Sequence, residues 1–505
     1  MSINNSKIII KNTVFLYFRM LLTMGIGLYS SRIVLSILGV EDFGIYNVVG
    51  GIVVMFGFLN IAMAGGTQRF LTYELGKNNH KELNRIFSMS LNIHILTAII
   101  ILILSETIGL WFLIEKLNIP AIRMNAALWV YQFSILSFII SIIQVPYNAS
   151  IIAHEQMNMY AYISIFEAVL KLLILFALVN IGFDKLILYA VLIFCIALIV
   201  SAIYIFYCKN KFIECRYYYF KDKNLFKTLT SFSGWNLFGG ISVVIYNQGL
   251  NILLNLFFGP IINAARGIAY QINTALNLFS SNFQLAIKPQ ITKSYANEDK
   301  NFMINLIYSS SKYSFFLLFF IALPVMLETN TILHVWLKTV PDYTVTFCRL
   351  VIIDSLIGCM STPLMTAVQA TGKIKKYQLI IGGMITMNLP LSWIALKLYP
   401  NPEYVFYISI TISIIALFVR IFLLQKLINI SIPIFSRIVL LPVIKVVILS
   451  SLLSLFIYIS LQDVAIRLYV VTFSSFIITI IFVFIFGLKN NEKITILYQI
   501  KKYIS

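Results

Sequence analysis

The stretch GLYSSRIVLSILGVEDFGIYNVVGG, residues 27–51, shows the pattern that recurs along the chain. It predicts the end of one apolar helix, a short acidic break at Glu41 and Asp42, and the start of a second apolar helix. Apolar runs of this kind recur from end to end of the chain, and each is long enough to cross about 30 Å of hydrocarbon. The first run nevertheless contains two cations, Arg19 and Arg32. Both charges lie where the surroundings are expected to be hydrocarbon.

The composition is that of a helical membrane protein. Of the 505 residues, 60% are hydrophobic and only 11% are charged, and the mean hydropathy is +0.90. Soluble domains carry about 25% charged residues. Continuous apolar runs also exclude a transmembrane β-barrel, whose roughly ten-residue segments alternate between apolar and polar residues. The run at residues 13–38 is too long for the apolar part of a cleaved signal peptide.

Hydropathy and chain breaks predict fourteen membrane spans. The predicted fold is therefore an all-α integral membrane protein with about 14 transmembrane helices. The spans lie near residues 13–38, 43–67, 86–113, 125–152, 159–183, 186–208, 229–258, 261–287, 304–327, 343–371, 377–399, 404–426, 438–461 and 466–488.

Basic residues predict the orientation. With the N-terminus inside, the inner loops hold 23 Lys and Arg residues, whereas the outer loops hold four. The positive-inside rule then predicts that both termini are cytoplasmic. Because the net charge of +19 is mostly explained by this asymmetry, it does not predict binding to nucleic acid.

Two pairs of similar segments indicate an internal repeat. VPYNASIIAHEQMNMY (145–160) parallels TPLMTAVQATGKIKKY (362–377) at an offset of 217 residues. FLTYELGKNNHKELNRIF (70–87) parallels QITKSYANEDKNFMINLI (290–307) at an offset of 220 residues. Because each copy contains six spans, an even number, both copies start on the same side of the membrane. This predicts a parallel repeat about an axis along the membrane normal.

The repeat predicts the domain organisation. The linker between the two lobes is basic and aromatic, which suits either an interfacial segment on anionic membrane lipids or a passive connection. The predicted parts are an N-terminal six-helix lobe (1–208), a basic cytoplasmic linker (209–228), a C-terminal six-helix lobe (229–426), and two additional helices with a cytoplasmic tail (427–505).

Several charged residues within the spans have candidate local partners. A charge at the bilayer centre costs at least about 2.5–3.5 kcal/mol unless it has a partner, water or a route to the interface. Glu167 and Lys171 are four residues apart, which predicts an ion pair on one helix face. Arg349 and Asp354 are five apart, so an ion pair or a role in ion coupling both stay open. Arg420 lies near a span end and is expected to extend to the interface.

The arginines of spans 1, 2 and 8 are different, because these spans contain no acid away from their ends. They predict a wet cationic cavity that binds an anion, with extension of individual side chains to the interface as the alternative. Arg19 and Arg32 are thirteen residues apart and point to different faces of a straight helix. Either that helix bends or one of the two extends to the interface. The candidate anion ligands are Arg19, Arg32, Arg69 and Arg266.

No cofactor is predicted. The four histidines are scattered, and the five cysteines form no C-x-x-C pair. No segment matches the phosphate-binding pattern G-x-x-x-x-G-K-[ST], so ATP hydrolysis is not predicted.

Two segments carry a resemblance to a known family. NAARGIAYQINTALNLFSSNFQLAIKPQITKSYANEDK (263–300) and LGVEDFGIYN (38–47) resemble the Wzx-type O-antigen and capsular polysaccharide flippases. These belong to the multidrug/oligosaccharidyl-lipid/polysaccharide (MOP) exporter superfamily. The resemblance covers almost the whole chain and implies a V-shaped pair of six-helix lobes with alternating access.

The resemblance also implies a substrate and a location. The substrate is an undecaprenyl-pyrophosphate-linked oligosaccharide, moved from the cytoplasmic to the periplasmic leaflet of the bacterial inner membrane for O-antigen or capsule synthesis. Its diphosphate would be bound by the four arginines of spans 1, 2 and 8. Polysaccharide polymerase and chain-length proteins are the implied partners, and no catalytic residue is implied.

Two alternatives stay open. A multidrug efflux transporter of the same superfamily would need a membrane-embedded acid for a cationic drug, whereas spans 1, 2 and 8 carry arginines. A membrane polysaccharide polymerase or ligase, which is an enzyme, would carry a large periplasmic loop. The longest predicted outer loop here is residues 328–342. We therefore predict a flippase and not an enzyme.

Overall fold

The computed structural model describes residues 3–54, 57–117, 119–179, 182–337, 339–461, 464–489 and 492–494. Within these ranges the secondary structure is helical and contains no strand. The α-helices are α1 (Ile3–Val54), α2 (Gly57–Gly76), α3 (His80–Leu104), α4 (Leu110–Glu115), α5 (Met124–Ala153), α6 (Met157–Val179), α7 (Lys185–Lys211), α8 (Lys223–Phe258), α9 (Pro260–Ala296), α10 (Lys300–Leu327), α11 (Thr329–Leu337), α12 (Thr344–Thr371), α13 (Lys375–Leu398), α14 (Tyr404–Ile428), α15 (Ile432–Phe435), α16 (Leu441–Ser460) and α17 (Val464–Phe482).

The long helices cover the fourteen predicted spans, so the predicted all-α membrane fold is confirmed. Among the described residues, twelve helical stretches are long and apolar enough to cross a membrane. The two predicted spans outside those twelve are 43–67 and 261–287. The second of these lies in α9, which carries many Asn, Gln and Ser residues and is therefore less apolar than the other helices.

The opening stretch bends α1 at Gly39. This glycine has φ 77° and ψ 172°, a conformation that residues with a side chain rarely adopt. The break predicted at Glu41 and Asp42 therefore lies two residues earlier in the structure. Just after the bend, Asp42 pairs with Arg123, which precedes α5, and Arg123 also pairs with Asp184 at the start of α7.

The chain forms two compact units. Unit 1 comprises Met1–Ile241 and Thr292–Glu298, and unit 2 comprises Ser242–Ile291 and Asp299–Ser505. The first part of α8 and the last residues of α9 thus belong to unit 1, although the remainder of both helices belongs to unit 2. The domain boundaries at residues 208, 228 and 426 remain predictions from the sequence.

The segment between α7 and α8 is held against unit 1 by specific hydrogen bonds. The Nδ2 of Asn84 in α3 donates to the carbonyl oxygens of Glu214 and Arg216, at 2.9 and 2.7 Å. The hydroxyl of Tyr217 donates to the Oδ1 of Asn92, also in α3, at 2.9 Å. This part of the predicted linker therefore follows the surface of α3.

Each unit has its own apolar core. In unit 1, Tyr131 is fully buried and its hydroxyl donates to the carbonyl oxygen of Ser105 at 2.7 Å. Ser105 begins a wide π-helical turn, Ser105–Gly109, which joins α3 to α4. In unit 2, the rings of Phe347 and Phe406 pack with centroids 4.4 Å apart. The unit 2 core also includes Ile262, Ala265 and Ala269 of α9.

Candidate functional site

Arg266 lies in α9 beside the apolar core of unit 2. Its neighbours Ala265 and Ala269 are fully buried in a core that includes Leu250 and Leu254 of α8. The Arg266 side chain is only 4% exposed. The guanidinium of Arg266 is therefore buried inside unit 2.

The guanidinium of Arg266 has fixed partners on one side. Its Nη1 donates a hydrogen bond to the Oδ1 of Asn251 in α8. Its Cζ lies 4.3 Å from the centre of the Tyr270 ring, one turn further along α9. This distance is typical of a cation–π contact. The hydrogen bond and the ring together fix the plane of the guanidinium.

The other edge of this guanidinium is unused. Within the described ranges, Nε and Nη2 of Arg266 are buried and find no hydrogen-bond acceptor. None of the ion pairs formed by the described residues involves Arg266. Burying charged donors without acceptors is costly. Because Nε and Nη2 form one edge of the group, they can donate two parallel bonds to a phosphate or carboxylate.

The other three predicted ligands lie in unit 1 in different settings. Arg19 lies in α1 with its Cζ 4.6 Å from the centre of the Tyr160 ring of α6. The side chain of Arg32 is exposed. Arg69 is 8% exposed, and its Cζ lies 4.5 Å from the Phe70 ring and 4.8 Å from the Tyr73 ring.

Arg32 lies before the bend of α1, and Arg69 lies in the second half of α2. Arg32 precedes the bend at Gly39 by seven residues, whereas Arg69 precedes Gly76, the opposite end of α2, by seven residues. At 1.5 Å per residue, each lies about 10 Å from its own end. The backbone of α1 stays helical between Arg19 and Arg32, so these two point to different faces. The four arginines thus occupy four separate environments, three in unit 1 and one in unit 2.

The predicted acid–base pairs differ from one another. The Nζ of Lys171 lies 2.6 Å from the Oε1 of Glu167, so this pair is formed on one face of α6. No ion pair joins Arg349 to Asp354, both of which are described. The Nε of Arg349 donates to the carbonyl oxygen of Met326 at 3.0 Å, and Asp354 accepts from the hydroxyl of Ser413.

Unit 2 contains a polar cavity that sequence reasoning missed. Its volume is about 220 Å³, and its lining includes Asp354 and Arg420. Arg420 was expected to extend to the interface, but its Nη1 donates to the Oγ of Ser361 and its Nε to the hydroxyl of Tyr377, both at 3.1 Å. These partners are on α12 and α13, so sequence spacing within α14 could not reveal them.

Unit 1 contains a second polar cavity, of about 300 Å³, lined by α2 and α5. The two cavities use equivalent positions of the two repeats. At the predicted offset of 217 residues, four lining positions of α5 coincide with four lining positions of α12. The α5 positions are Ser141, Gln144, Val145 and Asn148, and the α12 positions are Gly358, Ser361, Thr362 and Met365.

The sequence pattern of the family described as "Polysaccharide biosynthesis protein" matches residues 9–295, more than half of the chain. This chain belongs to that family. No curated protein matches the sequence significantly.

Solved structures show the fold. A multidrug resistance MATE family transporter of the MOP superfamily, in an outward-facing conformation, has a TM-score of 0.73 at 13% identity, over 84% of this chain and 96% of that chain. MATE in the bent conformation has the same values: 0.73, 13%, 84% and 96%. A MOP superfamily transporter from Pyrococcus furiosus has a TM-score of 0.69 at 12% identity, over 83% and 96%. For that transporter, a binding pocket of reverse polarity suggests a different function.

The resemblance to MOP superfamily exporters is therefore confirmed by the family and by the fold. The chain is a multi-pass helical membrane protein with the fold of MOP superfamily transporters.

Proposed function

We propose that this transporter is a flippase that moves an undecaprenyl-pyrophosphate-linked oligosaccharide from the cytoplasmic to the periplasmic leaflet of the bacterial inner membrane. The observation that carries the proposal is the buried, unused edge of Arg266. A diphosphate presents several oxygens that can accept two parallel hydrogen bonds from such an edge. Membership of a polysaccharide biosynthesis family supports a glycan attached to that diphosphate.

The residues around Arg266 suit this task. The Asn251 bond and the Tyr270 ring hold the guanidinium in place before the substrate arrives, so little side-chain entropy is lost on binding. Burial strengthens the attraction because the surroundings have a low dielectric constant. Arg32, which is exposed, and Arg19 are the further cations we assign to the diphosphate path. Arg69, which is packed among aromatic rings, is assigned the weakest role of the four.

A multidrug efflux transporter is the second candidate, and the MATE neighbours favour it. The buried cation Arg266 opposes it, because a cationic drug would meet a positive charge without a paired carboxylate. The P. furiosus relative supports the view that this fold hosts pockets of opposite polarity. The family and the neighbours are transporters, and we assign no catalytic residue and no cofactor to the chain. Polysaccharide polymerase and chain-length proteins are the partners we propose.

The test is transport by the purified chain in sealed vesicles without nucleotide. The probe is a short-chain prenyl diphosphate that carries one N-acetylglucosamine, and the measurement is its appearance in the opposite leaflet. We expect flipping by the wild type and none by Arg266→Gln. Export of ethidium without movement of the probe would instead establish the efflux transporter. Because no ATP-binding pattern is predicted, we propose that net flipping draws on an ion or potential gradient or on removal of the product. A strict requirement for ATP would contradict this coupling.

A further inference from the structure

We propose that the cavity between α2 and α5 in unit 1 is a carbohydrate-binding subsite that receives one sugar ring of the transported glycan. The inference rests on the proposed function and adds to it a recognition site for the sugar. The cavity has a volume of about 300 Å³, at the lower end of the range of about 300–1,000 Å³ for small-molecule sites. Its polar side chains are those of Asn60, Gln68, Gln144, Asn148 and Ser141.

The amides form two facing stripes. On α2, Asn60, Ala64 and Gln68 recur every four residues, and Ala64 leaves space between the two amides. On α5, Gln144 and Asn148 are also four residues apart. Residues at this spacing lie on one face of a helix, so each helix presents its amides to the cavity. Asn and Gln between membrane helices usually hydrogen-bond across the helix interface, so unpaired amide atoms on such stripes are the informative feature.

The amides have unused hydrogen-bonding atoms. In the part of the chain that the structure describes, the Oδ1 of Asn60, the Nε2 of Gln68 and the Oδ1 of Asn148 are buried without a partner. The Gln68 side chain is only 7% exposed. The site therefore offers at least one donor and two acceptors to a ligand. Buried polar groups of native proteins are nearly always satisfied by protein or by ordered water, so these atoms are available to water or to a ligand that displaces it.

The lining chemistry favours a neutral polyol. No charged side chain lines this cavity, so neither a metal cation nor a phosphate would be neutralised there. An apolar drug would leave the amides unsatisfied. Sugar hydroxyl and acetamido groups both donate and accept hydrogen bonds, as amides do. A sugar ring therefore matches both the neutral charge and the mixed donors and acceptors.

The second repeat shows that the fold does not require these amides. The position in α12 equivalent to Asn148 is Met365, which also faces a cavity. The position equivalent to Gln144 is Ser361, whose hydroxyl accepts from Arg420. An apolar residue is thus accommodated at the same helix position in unit 2. Neither of the two α5 amides is therefore repeated in α12, as expected of residues that belong to a ligand site.

The experiment compares two probes in sealed vesicles. One is a short-chain prenyl diphosphate with an N-acetylglucosamine, and the other is the same prenyl diphosphate without the sugar. We expect the wild type to prefer the glycosylated probe and the double variant Gln68→Met, Asn148→Leu to lose about tenfold of that preference, since two hydrogen bonds are removed. Movement of the bare diphosphate should stay unchanged. The control is Asn47→Leu, because the Nδ2 of Asn47 donates to the carbonyl oxygen of Phe43 in its own helix.

The outcomes separate the two proposals. If the wild type moves neither probe, the flippase proposal is wrong. If the wild type moves both probes equally well, or if the double variant keeps the wild-type preference for the glycosylated probe, the sugar subsite alone is overturned. Because one buried atom of each replaced amide, the Nε2 of Gln68 and the Oδ1 of Asn148, has no partner in the described structure, the double variant should melt at the same or a higher temperature. A large fall in melting temperature with an intact preference would assign the amides to packing and overturn the subsite. If the double variant does not fold, Asn148→Met, which copies the residue at the equivalent position of unit 2, carries the same comparison.

Discussion

Asn251 accepts a hydrogen bond from Arg266 across the turn between α8 and α9. The turn is centred on Gly259, whose φ of 80° lets the chain reverse. Asn251 lies eight residues before this glycine and Arg266 seven after it, so the two side chains meet at the same level of the helical hairpin. Asn251 of α8 therefore orients the guanidinium of Arg266, which is on α9. This relationship makes the site depend on both helices.

Replacement of Arg266 should separate function from stability. We expect Arg266→Gln to abolish flipping while protein levels stay normal, and Arg266→Lys to retain part of the activity, because lysine offers a point charge and no paired donors. Since two buried donors of Arg266 lack acceptors, Arg266→Met should not lower the melting temperature. The measurements are vesicle flipping and thermal unfolding in detergent.

The matched control is Arg349→Gln. Arg349 is also in a membrane helix, but its side chain is exposed and donates to a backbone carbonyl. We expect nearly normal flipping in this variant. Equal loss of activity in Arg266→Gln and Arg349→Gln would contradict a specific role for Arg266.

Asn251→Asp should inactivate the transporter by satisfying Arg266. An aspartate at this position would form an ion pair with the guanidinium and neutralise the charge that the diphosphate needs. Asn251→Leu removes only the orienting bond, so we expect it to lower flipping by about ten- to a hundredfold, the effect of one hydrogen bond to a charged group. A more active Asn251→Asp than Asn251→Leu in the vesicle assay would argue against anion binding at Arg266.

Arg32 and Arg69 should respond differently to substitution. Arg32 is exposed, so Arg32→Gln should lower flipping without changing the melting temperature. Arg69 is packed against aromatic rings, so Arg69→Gln should destabilise the fold by about 0.5–2 kcal/mol through lost cation–π contacts. Thermal unfolding and surface polysaccharide levels measure the two effects. Full surface polysaccharide in an Arg32→Ala, Arg266→Ala double variant would defeat the proposed diphosphate site.

The sequence predicted helix positions better than side-chain partners. Apolar runs are long and continuous, so the fourteen spans could be located, and the break near Glu41 lies within two residues of the bend at Gly39. Glu167 and Lys171 could be paired because their spacing within one helix determines their contact. Arg420 could not be placed, since its partners Ser361 and Tyr377 come from other helices.

The two polar cavities were missed for a related reason. Asn60, Gln68, Gln144 and Asn148 are uncharged, and a search for charges within apolar spans passes over them. The signal was present as amides spaced four or eight residues apart on two helices. The repeat contained a further signal, because its offset of 217 residues relates the α5 and α12 positions that line the two cavities. Only the folded helices show that these positions face cavities.

The orientation predicted from basic residues can be tested with reporter fusions. Fusions after residues 80, 215 and 297 should report a cytoplasmic location, and a fusion near 335 a periplasmic one, because the inner loops hold most of the lysine and arginine. The same prediction makes residue 118 periplasmic and residue 495 cytoplasmic. Both residues lie outside the part of the chain that the structure describes. A periplasmic signal at 215 or 297 would overturn the fourteen-span orientation.

Arg123 forms ion pairs with two acidic residues in unit 1, and their contribution to the stability of the fold should depend on pH. It pairs with Asp42 after the bend of α1 and with Asp184 at the start of α7. Burial tends to raise the pKa of Asp184, but hydrogen bonds from Arg123 and from the backbone N–H of Ile187 and Leu186 outweigh it, so the pKa lies below its ordinary value. A depressed pKa stabilises the fold above the unfolded-state pKa, about 3.9, and the gain is lost as the pH falls through the folded-state pKa.

Arg123→Gln should therefore destabilise the protein at pH 7 by about 1 kcal/mol, because the pairs are partly exposed. The difference from the wild type should begin to shrink below about pH 4, where the carboxylates of the unfolded chain become protonated, and it should be lost as the pH falls through the lower folded-state pKa. Thermal unfolding in detergent at pH 7 and at about pH 3.5 measures both values.

The matched control is Arg85→Gln, since Arg85 also contacts two acids, Glu82 and Asp222, but is more exposed, at 38% against 23% for Arg123. Its effect at pH 7 should be smaller. A difference for Arg123→Gln that is the same at both pH values would show that packing, and not the ion pairs, makes Arg123 stabilising.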